Sequence, residues 1–164
     1  MSENRNELRA PRRAERGPAR EGWPLRDVLI RHRLLALDRR YLFALPNITV
    51  GRATREIVHE LEQIAADYEE LLKGGLSVSA HFSVRAVRTK IGDALGSAAW
   101  ACESLQEPEQ ARARFLAAVA TFTKAGATEK ARRCLAELHR LNFYGAGDAP
   151  AAARPRRSAL GSAR

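Results

Sequence analysis

Apolar residues recur at steps of three and four over most of the middle of this chain, the spacing of one face of an α-helix, and no strand-like alternation interrupts them. The clearest stretch runs from Thr49 to Gly75, where Ile57, Val58, Leu61, Ile64, Ala65, Tyr68, Leu71 and Leu72 trace a single stripe. Gly74 and Gly75 follow Lys73 and supply the residue type that a left-handed helix end tolerates. Before it, Pro24 suits a first helical turn, where its missing N–H would have no partner. The pattern predicts a helix from there to about Leu45, with Leu25, Val28, Leu29, His32, Leu35, Ala36, Leu42 and Phe43 turned inward and Pro46 as its end.

A third helix is predicted over 79–105, capped by Ser77 or Ser79, with Val84, Val87, Ile91, Ala94, Leu95, Ala98, Cys102 and Leu105 inward. Gly92, Gly96 and Trp100 lie on a second face of it. Glycine inside a helix costs about 1 kcal/mol relative to alanine. Two glycines four apart therefore imply the close approach of another backbone, from this chain or from a partner. Pro108 opens a fourth helix to about Ala125, with Ala111, Phe115, Ala118, Val119 and Phe122 inward and Gly126 as its stop. Thr128 caps a fifth over 129–142, with Ala131, Cys134, Leu135, Leu138 and Leu141 inward and Phe143 and Tyr144 docking its end. The fold class is all-α, an antiparallel bundle of four to five helices over 24–144. Residues 1–23 offer only Leu8 and Trp23 as large apolar groups, and 145–164 are dominated by glycine, alanine, proline and arginine. Both read as disordered basic tails. A length of 164 residues holds one domain, large enough to fold without metal or disulfide.

Charge adds a second layer. The net charge is +9, from 28 basic and 19 acidic side chains, and only four of the basic residues are lysines. Arginine over lysine, with abundant alanine, is the compositional habit of GC-rich bacterial genomes. The first helix carries Arg26, Arg31, Arg33, Arg39 and Arg40 against Asp27 and Asp38. The second is acidic, with Glu56, Glu60, Glu62, Asp67, Glu69 and Glu70 against Arg52, Arg55 and Lys73. It is expected to form the central wall of the bundle, with Glu56, Glu60 and Asp67 facing basic neighbours in this subunit or the next. Later helices add Arg85, Arg88, Arg112, Arg114, Arg132 and Arg133. Arginines on solvated faces neutralise phosphates and release counterions, so a sequence-independent nucleic-acid surface is one expectation. No base-reading motif and no aromatic platform accompanies them. The other expectation is a partner protein in the groove beside Gly92, Gly96 and Trp100, or a second copy in a homo-oligomer, because the helices are apolar on more than one face.

Motifs of catalysis are scarce. Glu56 and His59 make a Glu-x-x-His step, but the second such step of a di-metal bundle is missing and solvated residues are the better reading. His59-Glu60-Leu61-Glu62-Gln63 is not a zinc-protease motif, and neither glycine pair fits a phosphate loop. Cys102 and Cys134 sit in helical patterns and read as buried, reduced hydrophobes. No enzyme and no cofactor is expected. No apolar run approaches the ~18 residues of a membrane span, and none marks a secretion signal, so the expected location is cytoplasmic.

Phe43-Ala44-Leu45-Pro46, then Ile48-Thr49-Val50-Gly51-Arg52, then a long amphipathic helix, resembles the bacterial four-helix-bundle family that includes the accessory variability proteins of diversity-generating retroelements. The resemblance implies a basic, non-enzymatic bundle that oligomerises and contacts a reverse transcriptase and nucleic acid. The segment 111–138, through Phe115, Ala118, Phe122, Gly126, Ala131, Leu135 and Leu138, is similar to one tetratricopeptide hairpin. That likeness implies a protein-interaction adaptor with no nucleic-acid role. The helices at 50–73 and 79–105 are too long for repeat units, and at least three repeats are needed for stability, which favours the bundle.

Overall fold

The computed structural model describes residues 24–74 and 82–144. These form five helices and no strand: α1 (Leu25–Thr49), α2 (Arg55–Lys73), α3 (Val84–Ser104), α4 (Pro108–Lys124) and α5 (Thr128–Tyr144). Short links fold α1 back on α2, α3 on α4 and α4 on α5. The start of α4 meets the end of α5 through Arg112 and the Leu141 carbonyl. The predicted tails, the Ser77 and Ser79 caps and Gly75 lie outside the described residues.

Local chemistry sets the boundaries. Thr54 and Ser83 cap α2 and α3 by accepting from the amides of Ile57 and Ala86. Three helix ends close with the same pair of backbone bonds. After α1, Gly51 N–H reaches the Ile48 carbonyl and Arg52 N–H the Asn47 carbonyl, and Gly51 takes a φ of +71°. Gly126 does the same after α4, with a φ of +66°. After α3 the left-handed position is held by Gln106, at φ +63°. Gly74, expected to end α2 in that conformation, has a φ of −72° instead.

Pro46 does not end α1. The helix runs on to Thr49, with Pro46 inside its last turn. Proline denies a bond to the carbonyl of Leu42, but both residues are exposed, so water can serve that carbonyl. The Pro46 carbonyl still accepts from the Val50 amide at 3.1 Å and the Thr49 hydroxyl at 2.9 Å.

The core forms around α3 rather than α2. Val87, Ile91, Gly92, Ala94, Gly96, Ala98, Ala99, Ala101 and Cys102 are all buried. Small residues around most of its circumference let α2 and α4 approach from two sides. One part of the core joins Ile64, Ala65, Tyr68 and Leu71 of α2 to Ile91 and Ala94 of α3, with Ile30 and Leu37 of α1. A second joins Cys102 to Phe115, Phe122, Cys134 and Leu138 of the last two helices. The predicted inward residues of α2 and α4 are buried or half-buried throughout. On α5, Leu135 and Phe143 are exposed where they were expected inside, because the inward stripe is Ala131, Cys134, Leu138 and Leu141.

The largest correction concerns α1. Its inward face is Ile30, Leu34, Leu37, Tyr41, Ala44 and Ile48. The stripe predicted to point inward points outward: Leu25, Leu29, Leu35, Leu42 and Phe43 are exposed, Phe43 at 80%. His32 and Ala36 are exposed with them, and Val28 is half-buried.

Candidate functional site

The outer face of α1 is the candidate site. It exists because α1 has two apolar faces and polar side chains on its inner flanks decide which of them turns in. Arg40 donates from Nε to Glu60 Oε1 at 2.8 Å and from Nη1 to Asp67 Oδ2 at 2.6 Å, bridging two turns of α2. Asp38 accepts from the Tyr68 hydroxyl and from Lys90 Nζ, which ties α1 to α2 and α3 together. The Tyr41 hydroxyl shares a hydrogen bond with Ser97 Oγ at 2.9 Å. Rolling α1 half a turn would break all of these and bury the Arg39 charge and the polar His32 ring at the centre of the opposite stripe, an unfavourable exchange.

These inner contacts also shift the groups that make them. Burial, and the neighbouring Asp38 carboxylate, hold the Tyr68 hydroxyl well above its ordinary value. Burial pushes Tyr41 to about 12, against the Ser97 hydrogen bond. Hydrogen bonds donated to the Glu60 and Asp67 carboxylates hold the Arg40 guanidinium above its ordinary value and so charged. Such values leave both tyrosines as neutral donors near neutrality. They act as pins rather than as acids or bases.

On the outer face, Leu25, Val28, Leu35, Leu42 and Phe43 are interrupted only by His32 and Arg39, with Arg31 on one flank. Of the α1 carboxylates, Asp27 is buried and Asp38 is held inward. At the N-terminal end the face runs into an open cleft of about 900 Å³ between α1 and the end of α2, lined by Leu25, Leu29, Ile30 and Leu71 together with Arg26, Arg33, Lys73 and Glu70.

The other residues singled out from the sequence disperse. Arg114 donates to Glu62 at 2.6 Å and is largely buried; Arg112 is held by Glu109 and the Leu141 carbonyl. Arg133 pairs with Glu129 at 3.3 Å and Arg33 lies 4.0 Å from Glu70. Arg26 reaches the Gly74 carbonyl at 3.4 Å, and Arg85 the Gly126 carbonyl at 3.0 Å. Arg39, Arg88 and Arg132 are exposed, on three different helices. Glu60 and Asp67 do face a basic neighbour, Arg40, while Glu56 is exposed beside the Thr54 cap, which lowers its pKa.

The groove expected at Gly92, Gly96 and Trp100 is filled from within. A Cβ on Gly92 would meet the Phe122 ring at 2.6 Å, so the close approach is by a side chain of α4 and not by a second backbone. Gly96 lies against Cys134, where a Cβ would stand 3.9 Å from Sγ. Trp100 packs edge-on against Phe115, with ring centroids 5.2 Å apart, and Arg140 lies over its face. These residues belong to the core and its rim.

Comparison with protein-family models, with curated proteins and with solved structures finds no match. Among the described residues no group of three or more histidine, cysteine, aspartate or glutamate side chains is placed to hold a metal ion, and Glu56 and His59 both face solvent. No helix there is long and apolar enough to cross a membrane. Cys102 and Cys134 are buried and not disulfide-bonded, and burial pushes the Cys102 thiol up, away from the reactive thiolate form. The outer face of α1 was missed in the sequence because its leucines outnumber those of the true inner face. The available signal was Arg39, a cation at the centre of a stripe read as core.

Proposed function

We propose that this chain is a non-enzymatic accessory protein that acts by binding a macromolecular partner, and that the outer face of α1 is the surface it binds with. One observation carries the reading: a large-residue apolar stripe held toward solvent by polar pins on the opposite flank of the same helix. Contiguous exposed apolar surface marks interaction sites on proteins that are otherwise well packed. The likeness of 43–52 to the accessory proteins of diversity-generating retroelements suits such a role, with a reverse transcriptase as the kind of partner it would imply. Recovery of the tagged chain from its own cells tests the reading. A Leu35→Ser/Leu42→Ser variant should fold and accumulate as the parent does, yet lose the proteins that co-purify with it. Undiminished co-purification would remove α1 from the role.

Nucleic acid is the second reading. It is favoured by one basic grouping: Arg85 reaches the α4–α5 turn, Arg88 follows on the next turn of α3, and Lys124 closes α4 beside that turn. Contact there would be independent of sequence and would weaken steeply with salt. Retention on DNA or RNA that is equal at low and high salt, or unchanged by Arg85→Ser/Arg88→Ser, would reject it.

A further inference from the structure

Resting on the reading of α1 as a binding face, we propose that its occupant is an amphipathic helix of a partner protein with acidic flanks, lying along α1 and placing an apolar side chain in the cleft beside Leu71. The length fits. Between Leu25 and Phe43, exposed Leu25 and Leu29 stand four apart and Leu35 and Leu42 seven apart, and the stretch covers a rise of roughly 27 Å at 1.5 Å per residue. Helices that bind in grooves present anchors at those same steps.

Charge selects among occupants. The face is mainly cationic: Arg39 lies within the stripe and Arg31 on its flank, and at the cleft Arg26, Arg33 and Lys73 outnumber the one carboxylate, Glu70, which stands 4.0 Å from Arg33. A second copy laid α1 against α1 would meet the same cations along the stripe, since Asp27 and Asp38 are turned in and Glu70 stands only at the cleft end. The acidic helix of a second copy is no better placed. Its Glu60, Glu62 and Asp67 already serve Arg40 and Arg114 within the chain, and its exposed Glu56, Glu69 and Glu70 have no exposed apolar stripe beside them, since Val58, Leu61, Ile64, Tyr68 and Leu71 are buried. The chain's own ends have the wrong sign: residues 1–23 hold six arginines against four glutamates, and 145–164 four arginines against one aspartate. A nucleic acid would answer the arginines and leave the leucines against water. An acidic amphipathic helix answers both, with leucines on the stripe and carboxylates against Arg39.

The test uses the full chain and three fluorescein-labelled synthetic peptides. One is a helical peptide with leucines at heptad a and d positions and glutamates on both flanks. The second has lysines for the glutamates, and the third is a scramble of the first. Fluorescence anisotropy should show the glutamate peptide binding about ten-fold or more tightly than either control. Leu35→Ser/Leu42→Ser should abolish that binding, and Arg39→Glu should erase the preference for glutamate over lysine without moving the unfolding midpoint. The charge variant keeps the test valid if the leucine variant unfolds. Equal binding of all three peptides overturns the proposal. So does doubling of the chain's mass in solution that Leu35→Ser/Leu42→Ser reverses, which would make a second copy the occupant. So does binding to anionic lipid vesicles with no binding of the glutamate peptide. If the peptides fail while the same leucine variant still loses its co-purifying proteins, the binding face stands and only its partner's chemistry was misassigned.

Discussion

α1 and α3 are both apolar on more than one face, and the bundle treats them in opposite ways. α3 is built of small residues. Gly92, Ala94, Gly96, Ala98, Ala99, Ala101 and Cys102 let neighbours close on two sides, and all are buried. α1 is built of large ones. Only Ile30, Leu37, Ala44 and the carboxylate Asp27 are fully buried, while four leucines and Phe43 stay in solvent. Apolar residues around a whole helix therefore have two meanings. Where they are small they signal an enclosed helix. Where they are large and interrupted by an arginine they signal a face kept for something else.

The sharpest way to break this contrast is to truncate leucines two positions apart on α1. Leu37 is 6% exposed and Leu35 is 46% exposed. Leu37→Ala should cost about 2–5 kcal/mol, as buried leucine truncations do. Leu35→Ala should change stability by no more than about 0.5 kcal/mol. Urea unfolding at fixed pH measures both. Equal losses would mean that the outer stripe is also core.

The two glycines of α3 sharpen the other half. On Gly92, a Cβ collides with the buried Phe122 ring at 2.6–2.9 Å, so Gly92→Ala should destabilise by about 1–3 kcal/mol through overpacking, less the roughly 1 kcal/mol that alanine returns in helix propensity. On Gly96 the nearest atom is Cys134 Sγ at 3.9 Å, an ordinary contact, and Gly96→Ala should stabilise by about 0.5–1 kcal/mol. Thermal melts that moved both variants the same way would refute the assignment of Gly92 to Phe122.

A smaller effect is expected at the end of α3. Gln106 holds the left-handed position that glycine fills after α1 and α4. Side chains are disfavoured there, so Gln106→Gly should raise stability by about 1 kcal/mol, net of the entropy that glycine adds to the unfolded chain. A drop in the unfolding midpoint would show that the Gln106 side chain has a role beyond the turn.

Much of the architecture was legible in the sequence. The single stripe of α2 and the Phe115-Ala118-Phe122 stripe of α4 admit one inward face, and the structure uses it. Pro108 and Gly126 bound α4 as their chemistry requires. What failed was choosing between faces. The outer stripe of α1 is richer in leucine than the inner one, and the deciding partners of Asp38, Arg40 and Tyr41 lie on other helices, out of reach of any local pattern. The arginines failed for the same reason. Arg40, Arg112 and Arg114 look solvated by composition and are held by contacts distant in sequence. On α3, glycine spacing announced a close approach without saying that an aromatic side chain would make it.

The pins that hold α1 in its roll should also leave a mark in the pH dependence of stability, the smallest of these effects. Burial pushes the Asp67 carboxyl up, but hydrogen bonds from Gln63 and Arg40, with the charges of Arg40 and Arg33, outweigh it and hold the group below its ordinary value. In the unfolded chain the same carboxyl titrates near pH 4. Between the two values the unfolded state binds more protons, so stability falls as pH falls. The contribution is fully present above about pH 4 and is lost as pH drops through the depressed native value. Asp93 has the opposite sign. Burial raises it despite Lys130, so its own contribution declines as pH rises above the ordinary range, and it does not imitate the acid loss. Arg40→Met should therefore lower stability at pH 7 by about 0.5–1 kcal/mol, the scale of a part-exposed ion pair. It should also flatten the decline between pH 5 and pH 3, roughly the window in which this linkage acts. Denaturant unfolding at those pH values separates the two. A variant that declines as steeply as the parent would show that Arg40 does not hold Asp67 charged, and the account of what fixes the roll of α1 would lose its strongest pin.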